Sequence, residues 1–187
     1  MEPNKFMGGE PTDKKSEIKF ENDCPIEEVA DLTYQVHLEN NGPTENGVKD
    51  SEKRIQGFLD RPNATEVILR IDGELVGCAF SFEESKDNLK KEVPYADFFT
   101  NPEERVFHAK GLNIKREYRG QGFGQMLTEQ IMAEARQKGA TKIILTTPWK
   151  DPLPARKLYE KLGFKEVAPN QLPDSFYMQY EYTKEEK

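Results

Sequence analysis

The sequence predicts an α/β protein built on one mixed, mostly antiparallel sheet with helices on its faces. Two β-rich runs, residues 67–71 and 75–80, are joined by Asp72-Gly73, a dipeptide typical of a two-residue hairpin turn. Later in the chain, a helical pattern over residues 123–138 lies between two strand patterns, which indicates a right-handed crossover between parallel strands. Antiparallel hairpins followed by one strand–helix–strand unit are typical of a mixed sheet.

The segment before the hairpin is predicted to hold one strand and two helices. Residues 18–20 alternate apolar and polar side chains, as a short strand does. A helix is predicted from an N-cap at Asp23 to about His37, because apolar residues recur at helical spacing and acidic residues occupy the first turn. Residues 40–43, Asn-Asn-Gly-Pro, break that helix, and a second helix is predicted over residues 51–59.

After the hairpin, residues 84–104 interrupt the pattern, and the later elements are indicated by periodicity and by their end residues. Gly139 and Gly163 follow two predicted helices as C′ residues, and Pro154 lies near the first position of the second. The strands predicted here cover residues 106–114, 142–146, 164–167 and 176–182, and the helices cover 123–138 and 154–162. The predicted order is β-α-α-β-β-β-α-β-α-β-β.

Length and charge limit the number of domains and the kinds of partner. The 187 residues suit a single domain over 17–187, preceded by a flexible arm over 1–16. A net charge of −7 argues against broad binding to nucleic acid or anionic membranes, and no apolar run is long enough to span a bilayer. Cys24 and Cys78 are too few for a disulfide framework, so we expect a cytoplasmic protein. No spacing of cysteine and histidine indicates a metal site.

A glycine-rich turn before the 123–138 helix is the most informative motif, and it reads Arg119-Gly120-Gln121-Gly122-Phe123-Gly124. Free N–H groups at a helix N-terminus attract an anion, and glycines let a pyrophosphate approach the main chain. Dinucleotide folds also use such a turn, but there it follows the first strand of a parallel set. Here antiparallel hairpins come first, and the next strand ends in Thr146-Thr147-Pro148-Trp149 without an acidic residue placed for a ribose.

A second motif, Ala155-Arg-Lys-Leu-Tyr-Glu-Lys-Leu-Gly-Phe164, follows about 35 residues later. With Arg119-x-x-Gly122-x-Gly124, it makes the sequence resemble the GNAT acetyltransferase superfamily over roughly residues 17–182. The first motif is similar to that superfamily's pyrophosphate loop, and the second to its tyrosine-bearing helix and the strand after it. The resemblance implies the GNAT fold and transfer of an acetyl group from acetyl-CoA to an amine.

The resemblance also implies which residues bind acetyl-CoA. The pyrophosphate would lie on Arg119, Gly120, Gln121, Gly122, Phe123 and Gly124, and the pantetheine arm would pair with the main chain of Leu112, Asn113 and Ile114 like an added strand. Tyr159 would lie beside the sulfur of CoA and donate to the departing thiolate. Leu158 and Leu162 already form the apolar stripe of the helix, which leaves Tyr159 on a neighbouring face.

His108 lies eleven residues before Arg119, on the strand that the resemblance places beside the acetyl group. Some relatives similar to histone acetyltransferases carry a glutamate base on that strand. Since an amine with a pKa near 10.4 is mostly protonated at neutral pH, a base or a water relay assists its attack. Two interpretations of His108 stay open: a general base, or a hydrogen-bonded strand histidine without a chemical role.

The acidic segment 83–104 holds seven carboxylates and three lysines, a net charge of −4, which favours a cationic acceptor. In this family such a segment would overhang the acceptor site, so Tyr95 and Asp97 are candidate substrate-binding residues by charge and cation–π contact. A solvated loop with a hydrophobic anchor explains the same pattern.

These observations predict an acetyltransferase that uses acetyl-CoA to modify a small cationic primary amine, by direct attack of the amine on the thioester. Polyamines, aminosugars and amino acid derivatives are the acceptor classes considered. The alternatives are acetylation of a protein N-terminus or lysine, and a CoA-binding module without turnover; Tyr159 favours catalysis. Tyr177, Tyr180 and Tyr182 in the last strand make a homodimer plausible.

Overall fold

The computed structural model describes residues 16–92, 98–148, 154–169 and 175–183, and it confirms the predicted fold class. The strands are β1 (Ile18–Glu21), β2 (Thr65–Ile71), β3 (Glu74–Glu83), β4 (Val106–Ile114), β5 (Lys142–Pro148), β6 (Lys165–Pro169) and β7 (Ser175–Glu181). The helices are α1 (Ile26–Asn41), α2 (Val48–Leu59), α3 (Lys86–Glu92), α4 (Phe123–Gln137) and α5 (Pro154–Lys161), and a short 3₁₀ turn covers Arg116–Tyr118.

Within the described residues, the seven strands form one sheet in the order β1-β2-β3-β4-β5-β7-β6. The β4–β5 pair is parallel and joined through α4, whereas the other neighbouring pairs are antiparallel. The last strand, β7, therefore lies between β5 and β6 rather than at an edge.

The hairpin between β2 and β3 closes as its sequence predicts. Asp72 and Gly73 have φ angles of 51° and 84°, the positive pair that a type I′ turn requires. The Asp72 side chain also accepts the Glu17 N–H at 2.9 Å, which fixes β1 beside the hairpin.

Several element boundaries differ from the prediction. The N-cap of α1 is Pro25 and not Asp23, and the helix continues to Asn41, where Gly42 with φ 79° ends it. Helix α3 was not predicted; it is a short helix whose Ser85 hydroxyl accepts the Asn88 N–H at 3.2 Å, the usual cap of a helix start.

The two faces of the sheet are covered by different helices. On one face, apolar residues of α1 and α2 pack against Ile68, Cys78 and Phe80 of the sheet. On the opposite face, α4 packs against β2 and β3, and α4 and α5 pack against β5 and β7. The crossover helix and the tyrosine-bearing helix therefore share a face that α1 and α2 do not occupy.

Strands β4 and β5 separate halfway along their length, and this separation positions the site. Their parallel pairing runs only from Val106–Lys142 to Ala109–Leu145, while β4 continues to Ile114 along β3. The β3–β4 register shifts by one residue near Gly111, which has φ 64° and would place a Cβ 2.9 Å from the Phe80 ring. A bulge built on glycine thus bends β4 away from β5 and opens a cleft in the middle of the sheet.

Candidate active site

The cleft between the separated strands has a volume of about 1080 Å³ and is lined from both faces of the sheet. Its walls include Ala109–Asn113 of β4, Leu145 and Thr147 of β5, Ile131 of α4 and Tyr159 of α5. From the other face come residues of α1 and α2, among them Val36 and Phe58. The cleft therefore lies where the two strands separate, with α1 and α2 on one side and α4 and α5 on the other.

The glycine-rich turn forms the N-terminus of α4, as the sequence predicts. Gly122 is the N-cap with φ 90°, and its carbonyl accepts the N–H groups of Gln125 and Met126 at 3.0 and 3.1 Å. Within the described chain, the N–H groups of Gly122, Phe123 and Gly124 make no backbone hydrogen bond. Three neighbouring donors at the positive end of a helix dipole fit an anionic pyrophosphate.

Strand β4 offers an open main-chain edge beyond the point where β5 leaves it. Lys115 N–H donates to the Val76 carbonyl at 2.9 Å, so this pair is hydrogen-bonded. Since such pairs alternate in antiparallel strands, the main chain of Ile114 points away from β3 and that of Asn113 toward it. Leu112 lies in the irregular stretch and lines the cleft. The N–H of Ile114 is thus better placed than the main chain of Asn113 for strand-like pairing with a pantetheine arm, while the Ile114 carbonyl accepts from Nε of Arg119 at 2.9 Å.

The Asn113 side chain holds the bulge closed. Its Nδ2 donates to the Gly111 carbonyl at 3.0 Å and to Oγ1 of Thr33 on α1 at 3.2 Å. The amide therefore connects the bent strand to the helix layer that forms one wall of the cleft.

Arg119 links the glycine-rich turn to α1, a connection that the sequence does not indicate. Its Nε donates to the Ile114 carbonyl at 2.9 Å, and its Nη2 lies 2.6 Å from the Glu39 carboxylate. The guanidinium therefore neutralises Glu39 beside the turn, and no local pattern marks Glu39 as its partner.

Tyr159 of α5 lies at the β5 side of the cleft with only 8% of its surface exposed. Its ring packs 5.8 Å from that of Phe164, and desolvation raises the pKa of the phenol to about 12. The side chain is therefore a neutral hydrogen-bond donor across the working pH range.

His108 is fully buried, and the ring of Tyr177 lies between it and the cleft. Its imidazole packs 5.8 Å from both Phe82 and Tyr177, and of these three residues Tyr177 lines the cleft. Nδ1 lies 3.5 Å from Oε1 of Glu84, whose other oxygen accepts from Arg61 at 2.6 Å. Burial raises the pKa of Glu84, but the His108 hydrogen bond and nearby cations outweigh it and hold that pKa below its usual value.

The α1–α2 side of the cleft contains side chains that the sequence analysis did not name as candidate site residues. On α1, Val36 and Asn40 are one turn apart and line the cleft together, and on α2 Arg54 and Phe58 do the same. Lys110 of β4 completes this wall. The one pattern in the sequence that points to this side of the cleft is the spacing of Arg54 and Phe58, four residues apart on α2. The predicted substrate-binding residues Tyr95 and Asp97 lie outside the described residues.

Comparison with known proteins agrees with this geometry. A model of the acetyltransferase (GNAT) family matches residues 30–164, most of the chain. The chain belongs to this family. The matched range includes both motifs on which the resemblance was based, up to the residue that closes the second one.

Relatives within the GNAT family are distant. The amino-acid acetyltransferase of Enterobacter sp. (strain 638) is 27% identical over 134 residues, which cover 71% of this chain and 27% of that protein. The chain thus spans about a quarter of that relative's length.

Solved GNAT structures share the fold. A GNAT-family acetyltransferase of Staphylococcus aureus Mu50 superposes with a TM-score of 0.65 at 15% identity, covering 89% of this chain and 100% of the other. The yncA protein of Salmonella typhimurium, whose structure includes its cofactor acetyl-CoA, gives a TM-score of 0.64 at 15% identity, covering 89% and 95%.

Two further features concern partners. In the parts of the chain that the structure describes, no helix has the length and apolar character needed to cross a membrane. Among the same residues, no group of three or more His, Cys, Asp or Glu side chains is placed to hold a metal ion.

Proposed function

We propose that the protein transfers an acetyl group from acetyl-CoA to a primary amine. The observation that carries this proposal is a cleft lined by a neutral Tyr159 and by Thr128 and Ile131 of α4, the helix whose N-terminus presents three N–H groups without a backbone partner among the described residues. Acetyl-CoA supplies an acetyl group already activated as a thioester.

The residues of the chain have two tasks in this reaction: they bind the substrates, and they position one proton donor beside the sulfur. The N–H groups of Gly122–Gly124 hold the pyrophosphate, and the open edge at Ile114 holds the pantetheine arm in line with the cleft. This places the thioester near Tyr159, whose hydroxyl donates to the sulfur as negative charge develops there. The amine enters from the α1–α2 side, whose residues line the cleft opposite Tyr159, and attacks the carbonyl directly.

His108 is proposed as a proton acceptor acting through a relay rather than by contact. Its ring is covered by Tyr177, so a proton from the amine would have to pass that residue or a water molecule. Glu84 pairs with the imidazole and stabilises its protonated form.

The sequence predicts a small cationic amine as the acceptor. The ion pairs of segment 83–104 weaken the charge argument on which this prediction rests. Glu83 pairs with Arg105 at 2.7 Å, Glu84 with Arg61 and Glu104 with Lys142 at 2.9 Å. Charges neutralised inside the fold attract no substrate. The name of the Enterobacter relative favours amino acids among the three acceptor classes considered.

The experiment that tests the proposal is an amine panel read by release of free thiol from acetyl-CoA. Polyamines, aminosugars, amino acids and a lysine peptide are offered separately, and the acetylated product is identified by mass. Turnover with one class supports acetyl transfer. Tight CoA binding without turnover of any amine would instead support the CoA-binding module.

A homodimer and a cytoplasmic location stay predictions. The tyrosines on which the dimer prediction was based pack inside their own chain. Tyr177 is buried, and the rings of Tyr180 and Tyr182 lie 5.2 Å apart and pack against the core. Light scattering of the purified protein measures the oligomeric state. Cys24 and Cys78 are free and buried, as expected in a reducing compartment.

A further inference from the structure

The acceptor half of the cleft is positively charged. Among the described residues that line the cleft, the ionisable side chains besides tyrosines are Arg54 and Lys110, and none is a carboxylate. Arg54 lies on α2, and Lys110 lies on β4 opposite α1 and α2. The two side chains therefore share one wall of the cleft. A protein with a net charge of −7 thus presents cations at this wall.

Neither cation makes a hydrogen bond or an ion pair with another described residue. The Glu84 carboxylate acts on Lys110 only through space, because its oxygens are already engaged by Arg61 and His108. Arg119, near the same cleft, differs because Glu39 neutralises it at 2.6 Å. Unpaired cations on a concave wall repel a protonated polyamine and attract an anion.

The wall belongs to the acceptor and not to acetyl-CoA. The pyrophosphate turn and Tyr159 lie on the α4–α5 face of the sheet, whereas Arg54 lies on α2 of the opposite face. Direct transfer requires the amine to approach the thioester from the side that CoA leaves free. This inference therefore rests on the proposed function.

We propose that the acceptor amine carries an anionic group, a carboxylate or a phosphate, that Arg54 and Lys110 bind. A guanidinium offers two parallel N–H donors to either oxyanion, and the ammonium adds a point charge. Phe58 lies one turn from Arg54 and gives the small molecule an apolar contact. Asn40 donates its Nδ2 to the Val36 carbonyl at 2.7 Å, which leaves its Oδ1 to accept from the amine.

The test compares acceptors that differ only in the anionic group. The twenty L-amino acids and O-phosphoethanolamine are assayed by thiol release, and each accepted compound is paired with the compound that lacks its anionic group, the amino acid amide or ethanolamine. We expect kcat/KM at least tenfold higher for the anionic partner. Because an amide lowers the amine pKa and so raises the neutral fraction, this comparison works against the expected result. The amino acid and phosphate arms separate the two oxyanions.

Variants then assign the preference to the two cations. Arg54→Gln and Lys110→Gln should each lower kcat/KM for the anionic partner about tenfold (~1.4 kcal/mol) and leave kcat/KM for the partner without the anionic group, and the KM for acetyl-CoA, unchanged. Lys53→Gln is the matched control, since Lys53 is an exposed neighbour on α2 that does not line the cleft. Equal kcat/KM for both partners, or an equal loss on both in Arg54→Gln, would overturn the proposal.

Binding separates this proposal from the proposed function. Calorimetric titration of the same anionic amines into the protein with CoA measures recognition without turnover. If no amine is acetylated but anionic amines bind in an Arg54-dependent way, acetyl transfer fails and the anion site stands. If amines are acetylated while neither rate nor binding depends on the anionic group, the anion site is wrong and acetyl transfer stands.

Discussion

Replacing Tyr159 with phenylalanine tests the chemistry of the cleft with little disturbance of the fold. Burial raises the pKa of the phenol to about 12, whereas a thiol titrates near 8.5, so complete proton transfer to the sulfur is uphill by about 5 kcal/mol. A hydrogen bond that strengthens as the thiolate forms is therefore the expected contribution. We expect Tyr159→Phe to lower kcat about 10²-fold, or ~2.7 kcal/mol.

The structure also predicts what Tyr159→Phe leaves unchanged. The phenyl ring keeps its packing against Phe164, and within the described residues the hydroxyl makes no hydrogen bond, so Tm and the Kd for acetyl-CoA should stay constant. Tyr182→Phe is the matched control: it removes a hydroxyl that donates to the Met132 carbonyl at 2.7 Å, away from the cleft. It should cost about 1 kcal/mol of stability and leave kcat unchanged. Full single-turnover activity in Tyr159→Phe would refute the donor assignment.

Three further predictions concern the turn, the pH dependence of stability and the buried histidine. Gly124→Ala should fold, since its Cβ meets Leu158 at an ordinary 3.7 Å, yet weaken acetyl-CoA binding at least tenfold in calorimetric titration, whereas Gly57→Ala in α2 should not. Hydrogen bonding from Arg70 lowers the pKa of Glu28 to about 2 from 4.5, so the unfolded state binds more protons in acid. Stability should therefore fall from about pH 5 to pH 2 in urea titrations, less steeply in Arg70→Met. His108→Asn should flatten the rise of kcat/KM between about pH 6 and 8; an equal loss at every pH would show a structural role.

Features encoded by short local patterns were predictable from the sequence. Asp72-Gly73 specifies its turn because positive φ angles are needed at both positions, and Gly120 and Gly122 before α4 likewise have positive φ angles. Element ends were less predictable. Pro25 rather than Asp23 caps α1, since its carbonyl accepts the N–H groups of Glu28 and Val29, and the exact end residue of a helix is not fixed by a residue-type preference alone.

The acceptor wall was not predictable, because it is assembled from elements distant in sequence. Arg54 and Lys110 belong to different elements, and only the bulge at Gly111 and the packing of α2 bring both into one cleft. Glu39 meets Arg119 across 80 positions of sequence for the same reason. A local motif identifies what the turn binds, whereas the wall that selects the amine exists only in the folded chain.

The charge count of the sequence and the charge of the cleft wall favour different acceptors, for a related physical reason. The acidic segment has a net charge of −4, but Glu83, Glu84 and Glu104 are held by cations inside the fold. The overall charge of −7 acts mainly over distances that salt screens, since the Debye length is about 8 Å at physiological ionic strength. Arg54 and Lys110 act on a bound acceptor at shorter range, where screening is weak. We therefore expect the sign of the cleft wall, and not the sign of the whole protein, to decide which amine is accepted.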